Sequence, residues 1–220
     1  MLNSQLSLVE KLIEEGVIKT RSVIQAMKNI DRGFFVQDPS AYEDQPKQIG
    51  YRATISAPHM HGYALEWFKD HLVPGSKALD IGSGSGYLTL CMAEMMNYSG
   101  LVVGVEHIRE LVNSSISSIN QCKPQALIDR NVQIFEGDGR LGYPSLAPYK
   151  VIHVGAASED IPEALVQQLD AGGRMVIPVG RRGEKQYIML VDKDYEGKIT
   201  VKKDFGVRYI PLCDKSYQVE

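Results

Sequence analysis

The first thirty residues carry apolar side chains at helical spacing. Leu6, Val9, Leu12 and Ile13 make one stripe, broken at Gly16, and Val23, Ile24 and Met27 make a second. Each predicts a short amphipathic helix. Over residues 33–51 the periodicity disappears and Pro39, Pro46 and Gly50 intervene, which predicts a wrapped loop. Ser56-Ala57-Pro58 then supplies an N-cap with proline in the first helical turn, and Met60, Ala64, Trp67 and Phe68 follow at helical spacing.

From Pro74 onward the texture changes to short apolar runs alternating with amphipathic stretches. Residues 77–81, 101–106, 132–136, 151–154 and 174–178 read as strands. Helices are expected from the glycine-rich turn at 82–86 through Met95, over 110–120 and over 162–169. Strands alternating with helices imply a parallel sheet covered on both faces. Runs at 186–191 and 198–203 flank a turn at Glu196-Gly197, a hairpin signal that places antiparallel strands at the sheet edge. The predicted fold class is α/β, a parallel sheet with antiparallel C-terminal edge strands and an N-terminal helical extension. Residues 1–73 are expected to form a helical and loop segment, and residues 74–220 the core with its hairpin.

Composition excludes more than it selects. The 220 residues, 44% apolar and 23% charged, suit an ordinary globular domain. A net charge of −3 without a long basic run argues against nucleic-acid binding, which needs a basic patch. Cys91, Cys122 and Cys213 are spaced too widely for a disulfide framework or a zinc site, so no metal is expected and a reducing compartment is favoured. With no signal peptide and no apolar run of membrane-spanning length, a cytoplasmic location is expected.

The candidate chemistry begins at Asp80-Ile81-Gly82-Ser83-Gly84-Ser85-Gly86, at the end of the first core strand. Glycines there let backbone approach a ligand and expose amide donors at a helix N-terminus. Glu106, twenty residues past Gly86, closes the next strand, where a carboxylate can accept both hydroxyls of a ribose. Tyr87 occupies the last position of a dinucleotide fingerprint counted from Gly82, where close helix–strand packing calls for glycine. No Lys-Ser/Thr pair follows, as a Walker loop requires, and the centre of the loop is Gly84 rather than the serine of a nucleophile elbow. An acid ahead of Gly-x-Gly-x-Gly is instead the pattern of S-adenosylmethionine binding. Asp138, in Glu136-Gly137-Asp138-Gly139-Arg140, could accept an adenine amine beside the Gly139 amide; taken alone, that stretch is a glycine turn closed by its aspartate.

ATISAPHMH (53–61), ALDIGSGSGYLT (78–89), GDGR (137–140), IHVGAA (152–157) and GGRMVIPVG (172–180) occur in an order and spacing that closely resembles the protein-L-isoaspartate (D-aspartate) O-methyltransferase family. The resemblance runs from the first helix to Tyr209-Ile210-Pro211-Leu212. The loop and GDGR belong to methyltransferases at large; TISAPHMH is the specific part. The resemblance implies a class I S-adenosylmethionine-dependent methyltransferase fold, a Rossmann-like sheet with residues 1–73 covering the cofactor and substrate site. It implies a protein-repair enzyme that methylates the free α-carboxyl of L-isoaspartyl, and some D-aspartyl, residues and releases S-adenosylhomocysteine. Age-damaged proteins and peptides are the implied partners, and a monomer the implied state. Ser56 becomes the active-site residue, with Ala53, Thr54, Ile55 and Ser56 at the junction of cofactor and substrate. His61, Asp80, Glu106, Asp138 and Gly139 become cofactor contacts, with Gly82 and Gly84 of the loop. Cys213 stands where the family usually carries threonine.

Ser56 followed by His59 and His61 raises the question of a nucleophile with its base. A substrate carboxylate is already ionised at neutral pH, so no base has to create the attacking group. Ser56 is therefore expected to orient the carboxylate as a hydrogen-bond donor. His59 and His61, two apart on a helix, point about 200° from each other and cannot share a metal. His59 is expected to be an exposed first-turn residue, His153 a satisfied core histidine, and His71 and His107 surface residues. Val154-Gly155-Ala156-Ala157 presents small side chains where a peptide backbone could approach, while Arg208 reads as a solvated edge-strand arginine. Three alternatives stay open: another enzyme of the same cofactor class acting on a small carboxylate or RNA, a binder without turnover, and a nicotinamide dehydrogenase, which Tyr87 opposes.

Overall fold

The computed structural model describes residues 4–36, 38–181 and 183–219. Helix α1 (Gln5–Glu14) opens with a capping box in which the Ser4 and Ser7 side chains each take the other's backbone amide. Its buried face is Gln5, Leu8, Val9 and Leu12, while Leu6 and Ile13 face outward. The apolar stripe expected at Leu6 and Ile13 is thus rotated. A polar residue enters the core because Gln5 is satisfied there: its amide donates to the Met27 carbonyl (2.5 Å) and its oxygen accepts the Arg32 amide (3.0 Å).

Helix α2 (Arg21–Asn29) packs Val23, Ala26 and Met27 inward. The stretch expected to be all loop ends in strand β1 (Lys47–Gly50), which pairs antiparallel with β2 (Ala53–Ile55). Tyr51 and Arg52 turn the hairpin with positive φ. Strands of four and three residues are too short to show alternation in a sequence. Helix α3 (Pro58–Phe68) is capped at Ala57, one residue later than expected, so Ser56 takes no part in capping and its hydroxyl remains available.

The core follows as β3 (Lys77–Ile81), α4 (Tyr87–Met95), β4 (Leu101–Glu106), α5 (Arg109–Cys122), α6 (Pro124–Ile128) and β5 (Val132–Glu136). After it come β6 (Tyr149–Val154), α7 (Glu163–Gln168), β7 (Leu169–Val179), β8 (Gln186–Lys193), β9 (Ile199–Val207) and the short α8 (Ser216–Val219). The sheet runs β5-β4-β3-β6-β7-β8-β9. Its first five strands are parallel and the hairpin strands β8 and β9 antiparallel, the α/β arrangement the pattern predicts.

The chain leaves β3 toward β4 and β5 and then places β6 on β3's other side. That reversal opens a crevice at the carboxyl ends of β3 and β6, the usual ligand position in such sheets. Alternate strand residues feed two apolar clusters: Leu79, Ile81, Val103, Val105, Ile152 and Val154 lie in one, Ala78, Val102 and Val151 in the other. The second also holds Leu8, Leu12, Met27, Leu65 and Phe68, so the N-terminal helices share a core with α4 residues such as Tyr87 and Met92.

One close approach sets the height of the glycine loop over the sheet. A Cβ added at Gly104 of β4 would stand 3.1 Å from both Cβ and Oγ of Ser83, and 2.6 Å from Ile134 Cδ1. The isoleucine tip can swing aside, but Ser83 is buried in the loop and cannot yield without its backbone. Gly104→Val is expected to lower the free energy of unfolding by about 1–3 kcal/mol, the usual cost of overpacking. Urea denaturation measures it, and an unchanged midpoint would show that the loop is not seated on this glycine.

Candidate active site

Two cavities adjoin at the crevice. The broader, about 980 Å³, is lined by Ser56, Ala57, His59, Met60, Tyr63, Arg208 and Tyr209 among others. The narrower, about 50 Å³, is walled by Ala53, Thr54, Gly82, Gly84, Glu106, Gly139 and Cys213 with their neighbours. Thr54, Gly155, Ile210 and Pro211 belong to both and form the partition.

The narrow cavity is built mostly from backbone. Gly82, Gly84 and Gly86 all take positive φ, at 68°, 51° and 82°, conformations that cost glycine little. The amides of Gly82 and Ser83 bond to the Val105 carbonyl and pin the loop to β4. Across the slot, a Cβ on Gly155 would lie 3.1 Å from the Gly82 carbonyl oxygen, and one on Gly139 would strike Ile81 Cγ2 at 2.5 Å. Glu106 is only 6% exposed. Its carboxylate accepts the Gly84 amide at 3.1 Å and the Ile108 amide at 3.0 Å, one on each oxygen. A carboxylate offers about four lone-pair sites, so two are left for hydroxyl donors. Glycine walls, amides at a helix start and a buried acid with spare acceptors fit a ribose-bearing ligand.

Four of the expected site residues line neither cavity. Ile55 points into the core, as strand alternation requires beside Thr54. Asp80, 1% exposed, receives the Thr89 hydroxyl at 2.6 Å and lies 2.8 Å from His153 Nδ1. It ties α4 and β6 to β3 beneath the loop, and His153 is satisfied as expected. His61 packs 5.0 Å from the Tyr87 ring, with Nδ1 3.4 Å from Arg32 Nη1. Asp138 is held by Arg140, whose Nε and Nη2 both donate to it, and Nη2 reaches Asp214 at 3.1 Å.

The other histidines correct the expectation of simple surface residues. His71 and His107 are half-buried, and His107 lines the narrow cavity with Nε2 2.6 Å from Gln218 Oε1. His59 lines the broad cleft with Nδ1 2.9 Å from Asp44 Oδ1, an oxygen that also accepts the His59 amide.

Ser56 is flanked on both sides. Its carbonyl accepts Arg32 Nη2 at 2.9 Å, and its side chain lies beside that of Tyr209. Burial pushes the Tyr209 phenol up to about 12, so it keeps its proton through neutral pH. Arg32 is fully buried and also donates through Nε to the Ala41 carbonyl at 3.0 Å. Burial draws its pKa down to about 10, which leaves it charged at neutral pH.

The segment 210–218 closes the narrow cavity. Gln218 Nε2 donates to the Tyr51 carbonyl at 3.1 Å, and Lys215 and Asp214 pair with Glu136 and Arg140 at exposed positions. Exposed pairs are worth about 0–1 kcal/mol each. The segment is anchored more firmly at its start, where the Ala157 amide donates to the Ile210 carbonyl at 2.8 Å and the Leu212 amide to the Ala157 carbonyl at 2.7 Å.

A profile of the family described as Protein-L-isoaspartate(D-aspartate) O-methyltransferase (PCMT) matches residues 3–217. The chain belongs to this family. It is 49% identical to the protein-L-isoaspartate O-methyltransferase of Triticum aestivum, covering 97% of this chain and 93% of that one. It is also 49% identical to the Caenorhabditis elegans protein of that name, covering 96% and 93%. A crystal structure of the Plasmodium falciparum protein described as a protein-L-isoaspartate O-methyltransferase, in complex with S-adenosyl-L-homocysteine, superimposes with a TM-score of 0.90 at 35% identity, covering 96% of this chain and 99% of that one. The family's most specific stretch falls on the seam between the cavities: Ala53 and Thr54 border the narrow one, Thr54, Ser56, Ala57 and His59 the broad one.

Arg32, Tyr209, Asp44 and Gln186 were not singled out for the site from the sequence. Gln186 belongs with them because its side-chain oxygen accepts the Tyr209 amide at 2.6 Å. Each acts through a partner more than ten residues away in sequence, so local pattern carries no signal for it.

Burial, and then the Arg32 cation, hold the His61 imidazole well below its ordinary value. Unfolded His61 takes up a proton near pH 6.5 while the folded residue does not. The unfolded chain therefore binds more protons below that pH. Stability is full above about pH 6.5 and falls as pH drops, by up to about 1.4 kcal/mol per pH unit from this residue. His71, also lowered by burial, adds in the same direction. Urea unfolding between pH 7 and 5 is expected to show the slope, and His61→Gln to flatten it. An identical slope in the variant would show that the ring is protonated in the fold.

Proposed function

We propose that the chain transfers a methyl group from S-adenosylmethionine to the free α-carboxyl of L-isoaspartyl residues, and of some D-aspartyl residues, in damaged proteins and peptides. The observation that carries this is the place of Ser56: its residue lines the broad cleft, directly beyond Thr54 of the partition that separates it from the glycine-walled cavity. When bound, S-adenosylmethionine supplies a methyl group on a positively charged sulfur, a good leaving group. Glu106, Gly84, Gly139, Thr54 and Cys213 would hold its nucleoside and its side arm. Asp80, His61 and Asp138 support that pocket from behind or from its rim.

The remaining requirement is alignment, because the attacking carboxylate is already ionised. Holding the reacting atoms in line supplies about 7–11 kcal/mol. Ser56 donates its hydroxyl to the carboxylate oxygen that does not attack, beside the protonated Tyr209 phenol. Of Gly155-Ala156-Ala157, Gly155 alone lines the broad cleft, while the Ala157 amide and carbonyl are taken up by Ile210 and Leu212, so the small-residue stretch expected to meet a peptide backbone is covered by the C-terminal segment instead.

A peptide containing isoaspartate and its aspartyl twin, incubated with labelled cofactor, test this directly. A base-labile methyl ester should form on the first alone; labelling of both, or of neither, would end the proposal. Ser56→Ala is expected to lower kcat about ten- to hundredfold, the worth of one hydrogen bond to a charged group, with cofactor affinity nearly unchanged. Calorimetry showing a comparable loss of cofactor affinity would assign Ser56 to the other cavity.

A further inference from the structure

The broad cleft extends well past Ser56. Its roughly 980 Å³ is at the upper end of pockets that enclose whole drug-sized ligands, far more than one aspartyl side chain fills. Along one wall, Ser56 is followed by Met60 and Tyr63 of α3 and by Phe205 of β9.

Phe205 is 36% exposed, yet it is not an isolated surface aromatic. Its ring centroid lies 5.3 Å from Tyr63 in an edge-on arrangement and 5.6 Å from Trp67, and Tyr63 and Trp67 are 6.1 Å apart. Tyr63 and Trp67 are one helical turn apart on α3, which puts both on the face turned to β9. The base of this shelf is fixed: the Trp67 carbonyl accepts Arg174 Nη1 at 3.1 Å, and Arg174 is held by Asp192 through two bonds of 2.6 and 2.9 Å. Rigid aromatic surface of this kind loses little entropy when it is covered, which is why such residues anchor bound chains. Met60, between Ser56 and Tyr63 in the lining, adds an adaptable contact.

We propose that Tyr63, Trp67 and Phe205 form a subsite for an apolar side chain of the substrate polypeptide, within a few residues of the isoaspartyl group. The occupant is the same damaged chain, because the shelf is continuous with the cleft that holds Ser56. The proposal rests on the cleft taking a polypeptide, as in the function proposed above. A subsite of this type affects binding rather than the aligned reaction, so its effect belongs in KM.

The test uses isoaspartyl peptides that are identical except for leucine or serine placed in turn at each of the three positions on either side. At one or two positions leucine is expected to lower KM roughly tenfold, within the range a hydrophobic pocket distinguishes, with kcat unchanged. Phe205→Ser should erase that difference and Phe205→Leu restore most of it, while calorimetric cofactor binding confirms that each variant is folded. Equal KM values for leucine and serine at every position, or a preference that survives Phe205→Ser, would overturn the subsite. Methylation of none of the peptides would instead overturn the proposed function, so the two failures are distinct.

Discussion

The site depends on a guanidinium buried out of contact with water. A charge in the interior is tolerated only when its donors are taken up. Arg32 meets this with backbone carbonyls instead of a bonded carboxylate: Ala41 on one side, Ser56 on the other, with the His61 ring at 3.4 Å. The Arg32 amide is in turn held by Gln5 of α1. One residue thus joins the first helix, the loop before the hairpin and the strand-to-helix junction that bears the serine. The arrangement needs His61 neutral, and burial beside the cation enforces that. Ser56 consequently has its main chain fixed by the N-terminal segment and its side chain beside Tyr209 of the C-terminal one.

Two acids at neighbouring strand ends divide the remaining work. Asp80, buried and lining neither cavity, has one protein partner on each oxygen and braces α4 and β6 against β3. Glu106 spends one lone pair of each oxygen on backbone and keeps the rest facing the cavity. In sequence both are carboxylates beside a glycine loop; only burial and hydrogen-bond partners separate the brace from the binding group.

The parallel strands were the most legible part of the chain. β3, β4 and β5 have the bounds expected for them because each is a short apolar run closed by charge or glycine. The strand order, with the reversal at β3 and β6 that opens the crevice, is not written in the alternation, because it depends on which side of β3 the later strands pack. Legibility failed where the deciding partner lies far along the chain. Gln5 rather than Leu6 is buried because the Met27 carbonyl and Arg32 amide await it. The β1–β2 hairpin is stabilised by pairing that a three-residue strand cannot advertise. His107 is drawn inward by Gln218, 111 residues later. Glycine loop, Glu106 and Ser56 were visible as motifs, whereas the groups that aim them, Arg32 and Tyr209, sit in stretches without periodicity.

The partition made by Thr54, Gly155, Ile210 and Pro211 is assembled from three distant stretches of the chain. Ala157, just past β6, bonds through its amide and carbonyl to Ile210 and Leu212, so the wall shared by the two cavities is completed when the C-terminal stretch docks there. Settling of that stretch and division of the crevice into two compartments are therefore one folding event.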